Sequence, residues 1–166
     1  MNKPSLKPNK IKSGGRLRIT SGEKRGAFIL TPGGKTHPMG ERERLALFNM
    51  LGPVNRKTVL DLFAGSGALG IEALSRGAKS VIFVDSSPLA ARSIKRNLEK
   101  LGYADRAIVK LGSVINFRAE QKFDLIFADP PYDDYNPEDL ANIPELLKKG
   151  GLFVLSHPKT VDSPSP

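Results

Sequence analysis

The sequence predicts a doubly wound α/β domain, and three observations predict it. The segments TVLDLF, VIFVD and FDLIFA are nearly continuous apolar runs, as suits strands buried on both faces of a parallel sheet. Segments of helical period lie between them, and such alternation of strand and helix marks this architecture. A length of 166 residues leaves room for one real core, whereas two full domains would be a squeeze.

Each element has a local reason. Residues 1–15 are Lys, Pro, Asn, Ser and Gly with two isolated large aliphatics, Leu6 and Ile11, and read as a disordered basic tail. Arg16–Thr20 and Ala27–Leu30 read as two short strands around a basic turn, Ser21–Gly26. A Gly/Pro loop, Thr31–Pro38, follows. In Glu41–Leu51 the residues Leu45, Phe48 and Leu51 recur on one helical face, and Glu41 and Glu43 suit the positive end of the helix dipole. Gly52-Pro53 stops that helix. Thr58–Phe63 is then a strand and Leu69–Arg76 a helix; Ser80–Asp85 is a strand and Pro88–Leu101 a helix. Ala107–Lys110 is a strand, followed by a short segment near Asn116–Glu120. Phe123–Ala128 is a strand, Pro137–Lys148 mostly helical, and Gly151–Ser156 a strand. This places one domain over residues 16–159, with residues 16–57 as a basic hairpin and helix and residues 58–159 as the core; residues 160–166 read as frayed.

Composition narrows the function. Cysteine is absent, which removes disulfides, thiolate metal sites and a cysteine nucleophile. The two histidines, His37 and His157, are far apart, so no metal site is expected. The basic N-terminus has no apolar stretch of a secretory signal, and no run approaches the ~20 apolar residues of a membrane span. A cytoplasmic protein follows as the default. The formal net charge is +9, and the surplus lies in residues 1–60, with 13 Lys/Arg against 3 Asp/Glu. A polyanion partner explains such a cluster; a solvated tail explains it too.

Two motifs carry chemistry. The first is Asp61-Leu62-Phe63-Ala64-Gly65-Ser66-Gly67-Ala68-Leu69-Gly70, which leaves a strand and opens a helix. Gly65 and Gly67 permit positive φ and close approach of a ligand, and the helix offers free N–H groups. The spacing of Gly65, Gly67 and Gly70 also fits a dinucleotide fingerprint. Asp61 favours S-adenosylmethionine instead, because a carboxylate there meets a cationic amino group and repels a pyrophosphate. Asp85 ends the next strand, where a carboxylate accepts from both ribose hydroxyls, as it would also for a nicotinamide dinucleotide. The second motif is Asp129-Pro130-Pro131-Tyr132. It follows FDLIFA and so lies at the carboxyl edge of the sheet, where open α/β sheets bind ligands. The lone pair of an exocyclic amine on a base is delocalised into the ring, so the amine must be polarised and aligned to accept a methyl group. Asp129 can accept one of its N–H groups and the Pro130 carbonyl the other, with two prolines fixing the backbone. Tyr132 offers a face for stacking a base.

These two motifs, in this order, resemble the bacterial 16S rRNA (guanine(966)-N(2))-methyltransferase family. Arg18–Gly26 looks like that family's basic hairpin, Pro38, Arg42, Arg44, Phe48 and Asn49 like its next helix, and Asn97 and Leu98 like its later one; the resemblance runs from about Arg16 to Ser156. It implies a class I methyltransferase Rossmann-like fold, S-adenosylmethionine as cofactor, and guanine N2 in 16S rRNA or the small ribosomal subunit as acceptor, with the chain acting as a monomer away from membranes. It further implies cofactor contacts from Asp61, Phe63, Ala64, Gly65, Gly67, Asp85, Ser86 and Ser113, and a flipped guanine held by Asp129, Pro130 and Tyr132. Arg16, Arg18, Lys24 and Arg25 would hold RNA phosphates, with Lys7, Lys10 and Lys12 adding contacts. Two departures stand out. Ser113 occupies the place where the family usually has an adenine-binding aspartate, and VLSHPKTVDSPSP offers little of the family's last β-hairpin, which is expected to be missing or truncated and to leave an open sheet edge. An adenine-N6 methyltransferase uses the same catalytic motif, and a non-catalytic RNA-binding or ribosome-assembly factor on a decayed scaffold is the rival of another class.

Overall fold

The computed structural model describes residues 14–33, 38–134 and 136–156. The basic tail up to Ser13, both histidines and the segment 157–166, where a last hairpin would begin, lie outside the described residues. Two short strands, β1 (Arg16–Arg18) and β2 (Phe28–Leu30), pair antiparallel as a hairpin, with Arg16 opposite Leu30. Then come α1 (Glu41–Leu51), β3 (Thr58–Leu62), α2 (Ala68–Ser75), β4 (Ser80–Asp85), α3 (Pro88–Leu101), β5 (Ala107–Leu111), β6 (Phe123–Ala128) and β7 (Leu147–Leu155). The five later strands form one sheet in the order β5-β4-β3-β6-β7, every pair parallel. The chain builds outward from β3 through β4 to β5, then returns to the other side of β3 with β6. The carboxyl ends of β3 and β6 therefore meet at the switch point, where sheets of this kind open a crevice.

The apolar runs are buried on both faces. Val59, Val81, Phe83, Leu125 and Phe127 pack with Phe48 of α1, with α2 and α3, and with Ile19 and Ile29 of the hairpin. Their neighbours along the strands, Leu60, Leu62, Ile82, Val84, Ile126 and Ala128, point the other way, as a period of two requires. That second face is covered by Val114, Leu140 and Ile143 with Phe117 and Leu146. The expected helix over Pro137–Lys148 is not formed. The segment makes two 3-10 turns, Pro137–Leu140 and Ile143–Leu146; Pro144 has no N–H to continue a helix and its ring clashes with the preceding turn. Its last residues, Leu147 and Lys148, join β7, which starts earlier than expected. There Leu147 pairs with Phe123 and Leu152 with Leu125. The surplus residues bulge out at Gly150, whose φ of 76° suits a residue without Cβ. Residues near Asn116–Glu120 form turns only. Among the described residues no helix is long and apolar enough to cross a membrane.

The hairpin is clasped to the core by polar groups. The Glu72 carboxylate of α2 accepts from the backbone N–H groups of Thr20 and Ser21 and from the Thr20 hydroxyl. It is ion-paired with Arg76 at 3.1 Å and with Arg44 at 3.5 Å, and both Glu72 and Arg44 are buried. Arg44 also donates to the carbonyls of Met39 and Arg18. From α3, the Asn97 side chain both donates to and accepts from the backbone of Leu30, so it imitates a neighbouring strand.

Candidate active site

The turn that leaves β3 is built on positive φ angles: 53° at Phe63, 57° at Gly65 and 79° at Gly67. For Phe63 such a conformation costs roughly 1–3 kcal/mol, so the surroundings hold it there; Ala64 N–H donates to the Val84 carbonyl at 3.1 Å. The three glycines do different work. Gly65 lines a cavity of about 520 Å³, and a Cβ on it would meet nothing nearer than 3.9 Å. Gly67 starts α2 and faces away from the cavity; a Cβ there would stand 3.1 Å from Ile94. Gly70 allows α2 to lie against β4, since a Cβ would come within 2.3 Å of the Phe83 ring.

The cavity sits at the switch point. Of the expected cofactor contacts, Asp61, Phe63, Ala64, Gly65, Asp85, Ser86 and Ser113 line it, and so do Asp129, Pro130 and Tyr132. Among the described residues five aspartates line it, Asp61, Asp85, Asp129, Asp133 and Asp139, and no lysine or arginine does. Among the described residues no three His, Asp or Glu side chains are gathered as metal ligands.

Asp61 is buried and accepts from the Gly70 N–H at 3.0 Å. Burial pushes its carboxyl well above the usual range; the Gly70 bond pulls it back in part, and the charges of Asp129 and Asp85 push it up again. A buried acid facing two others, with no cation beside it, is a place for a cationic ligand. Asp85 uses one oxygen on the Gly65 N–H at 2.9 Å and the other on the Ser87 N–H at 2.8 Å. An ionised carboxylate has about four acceptor positions, so each oxygen keeps one for a ligand. Ser113 accepts from the Ile115 N–H at 3.3 Å and presents a neutral group where a charged acceptor was the alternative.

At the end of β6, Asp129 is raised above the ordinary carboxylate range by burial; a hydrogen bond with Ser156 lowers it and the charge of Glu43 raises it. Pro130 is buried, and among the described residues no donor reaches its carbonyl. Tyr132 is 54% exposed, so its ring is open to a stacking partner. Sequence reasoning missed Ser156. Its hydroxyl lies 3.2 Å from the Tyr132 hydroxyl and also reaches Asp129, while its N–H donates to the Ala128 carbonyl at 2.9 Å. The pairing of Ala128 with Leu155 across β6 and β7 is the signal that would have found it. Met39 was missed as well; with Pro38 it forms the wall next to α1.

The expected RNA contacts are split. Arg16 and Arg18 stack on Phe28, at 4.8 and 5.1 Å from the ring centre. Lys24 and Arg25 sit in the hairpin turn, which is bonded to Ser75 at the last residue of α2. The eight residues of α2 span about 12 Å, so this turn stands a helix length away from the glycine loop. Arg44 and Phe48 are buried in the clasp and core, Leu98 is in the core, and Arg42 and Asn49 are exposed.

Comparison with known proteins adds a family. The model of the family described as Conserved hypothetical protein 95 matches residues 17–165. The chain is 35% identical over 158 residues to YlbH of Bacillus subtilis (strain 168), covering 89% of this chain and 86% of that one. It is 39% identical over 126 residues to ribosomal RNA small subunit methyltransferase D of Haemophilus influenzae, covering 71% of this chain and 65% of that one. The solved structure of yhhF from Escherichia coli superposes with a TM-score of 0.81 at 31% identity, over 91% of this chain and 86% of that one.

Proposed function

The chain belongs to the Conserved hypothetical protein 95 family, and on that footing we propose that it is an S-adenosylmethionine-dependent methyltransferase acting on the N2 amine of a guanine in small-subunit rRNA. One observation carries the reading: Asp129 and Pro130, whose carbonyl receives no donor among the described residues, line a cavity whose described lining holds five aspartates and no lysine or arginine. The related protein from Haemophilus influenzae is named for methylation of small-subunit rRNA, which supports the acceptor. The reading also includes action in the cytoplasm as a monomer.

The residues fit such a cofactor. A ligand carrying a sulfonium and an ammonium group relieves the repulsion among Asp61, Asp85 and Asp129, whereas a pyrophosphate would add to it. Asp61 would face the ammonium group, the free acceptor positions of Asp85 the ribose hydroxyls, and Ser113 with Ile115 the adenine. When bound, S-adenosylmethionine supplies a methyl group activated on sulfur. The acceptor amine is managed by this chain's own groups. A guanine leaving its helix, as chemistry on a base requires, stacks on the exposed ring of Tyr132. Asp129 accepts one N–H of the amine and the Pro130 carbonyl accepts the other, so the nitrogen lone pair is freed from the ring and aimed. The proton lost from nitrogen passes to the Asp129 carboxylate, whose raised affinity for protons suits the task. The rest of the acceleration is positioning. Arg16 and Arg18 hold phosphates outside the cavity, and Lys24 and Arg25 reach RNA at the far end of the domain.

Asp129→Ala tests the assignment. Methyl transfer to undermodified small ribosomal subunits should fall by several orders of magnitude, while calorimetry with S-adenosylmethionine shows affinity within a few-fold of the native chain. Full activity in that variant refutes the role of Asp129.

A further inference from the structure

The pocket has two unlike sides. Residues 129–146 on one side contain six Asp and Glu and no Lys or Arg. On the β4 side the described lining ends at Ser86, and two residues on, at Pro88, the chain enters α3, which leads away from the pocket rim. The inward residues of α3, Ala90, Ala91, Ile94, Leu98 and Leu101, are buried, whereas Arg92, Lys95, Arg96 and Lys100 are exposed. Among the described residues Lys95 and Arg96 have no hydrogen bond or ion pair, and Arg92 reaches only the Pro88 carbonyl of its own helix, at 3.4 Å. Lys100 donates to the Phe28 carbonyl at 2.9 Å, and the Phe28 ring carries Arg16 and Arg18. The helix face and the hairpin cations are thus one belt that starts at the pocket mouth. A merely solvated helix face favours opposite charges four residues apart. Here Arg92–Arg96 and Arg96–Lys100 are like-charged pairs at that spacing, which work against the helix; exposed Glu99 stands four residues after Lys95, the one opposite pair, and leaves the face at three net positive charges. The eight rises from Arg92 to Lys100 cover about 12 Å, the length over which one nucleic-acid strand carries about three or four phosphates.

We propose that the outer face of α3 is a track for the RNA backbone, joining Arg16 and Arg18 and bringing the strand along the helix to the pocket rim. The proposal rests on the RNA reading above and adds a surface to it. The acidic wall repels the same backbone, so the approach is one-sided. The hairpin turn with Lys24 and Arg25 then serves only RNA that extends to the other end of the molecule.

The test is the triple variant R92Q/K95Q/R96Q, with R96Q alone as a milder one; glutamine is a good helix former and these side chains hold nothing else in place. Affinity for an unmodified small-subunit rRNA transcript is measured as a function of salt. Losing three phosphate contacts at about 0.7 each lowers the slope of log affinity against log salt by about two, on the order of a 100-fold loss near 0.1 M salt. R96Q should lose about a third of that slope change. Affinity for S-adenosylmethionine and the thermal midpoint should stay at native values. An unchanged slope in the triple variant, beside salt-dependent binding by the native chain, overturns the track and leaves the function standing. Loss of binding to phosphatidylserine vesicles with RNA binding intact overturns it in favour of a lipid surface. A native chain that binds no rRNA overturns both the track and the RNA reading.

Discussion

Three oxygen-bearing side chains, Asp129, Tyr132 and Ser156, meet at one corner of the cavity, and on the proposed mechanism their coupling sets a pH dependence. Asp129 must be ionised to accept an amine N–H. Burial raises its pKa, the Ser156 hydroxyl offsets part of that, and Glu43 adds to it. Activity is therefore lost as pH falls through this raised value, earlier than for an ordinary carboxylate at about 4. Ser156→Ala removes the stabilising donor and should move the acid limb of kcat to higher pH; Glu43→Gln should move it lower; Ser156→Thr should restore the native position. A pH–rate profile at saturating substrates reads all three. A limb that stays put in Ser156→Ala would show that the serine only closes the end of β7. Asp129 and Tyr132 were legible because a carboxylate and an aromatic around two prolines have few other uses at a strand end. Ser156 was not, because its role depends on which strand lies next to β6, a fact of topology that local pattern does not contain.

At the scale of elements, the polar clasp decides how the hairpin is held. Glu72 is buried with Arg44, and four donors from Thr20, Ser21 and Arg76 surround it. Removing one partner of a buried pair leaves the other charge uncompensated, at a cost of about 3–5 kcal/mol. Glu72→Gln should show a loss of that size in urea unfolding, and a loss under 1 kcal/mol would mean that the pair is well hydrated. Gly70→Ala should cost about 1–3 kcal/mol by overpacking, since Phe83 stands where the methyl would go; an unchanged midpoint would show that α2 shifts freely on the sheet. The strands and the three α-helices were readable from apolar runs, from helical period and from the stop at Gly52-Pro53. Most of their bounds fall within a residue of expectation, for instance Ser80–Asp85 and Pro88–Leu101. The segment after Pro137 was misread because the apolar spacing of Leu140, Ile143 and Leu146 fits a 3-10 turn as well as an α-helix. Pro144 carried the correction.

For the whole molecule, charge is sorted by position. The cavity is anionic, one wall of its mouth is acidic, and the hairpin with α3 is basic. On the proposed function this sorting draws a cationic small ligand inward and holds a polyanion outside, without one field cancelling the other. The sequence showed the basic surplus of the first third, but the belt crosses from β1 to α3, more than 70 positions apart along the chain. Such a surface exists only after folding. The most direct measurement is incubation of the chain with labelled S-adenosylmethionine and small ribosomal subunits from cells deficient in their N2 methylation, followed by digestion to nucleosides. The account predicts label in N2-methylguanosine at one site, absent with Asp129→Ala. Label in N6-methyladenosine, or none from a chain that binds both cofactor and rRNA, would contradict it.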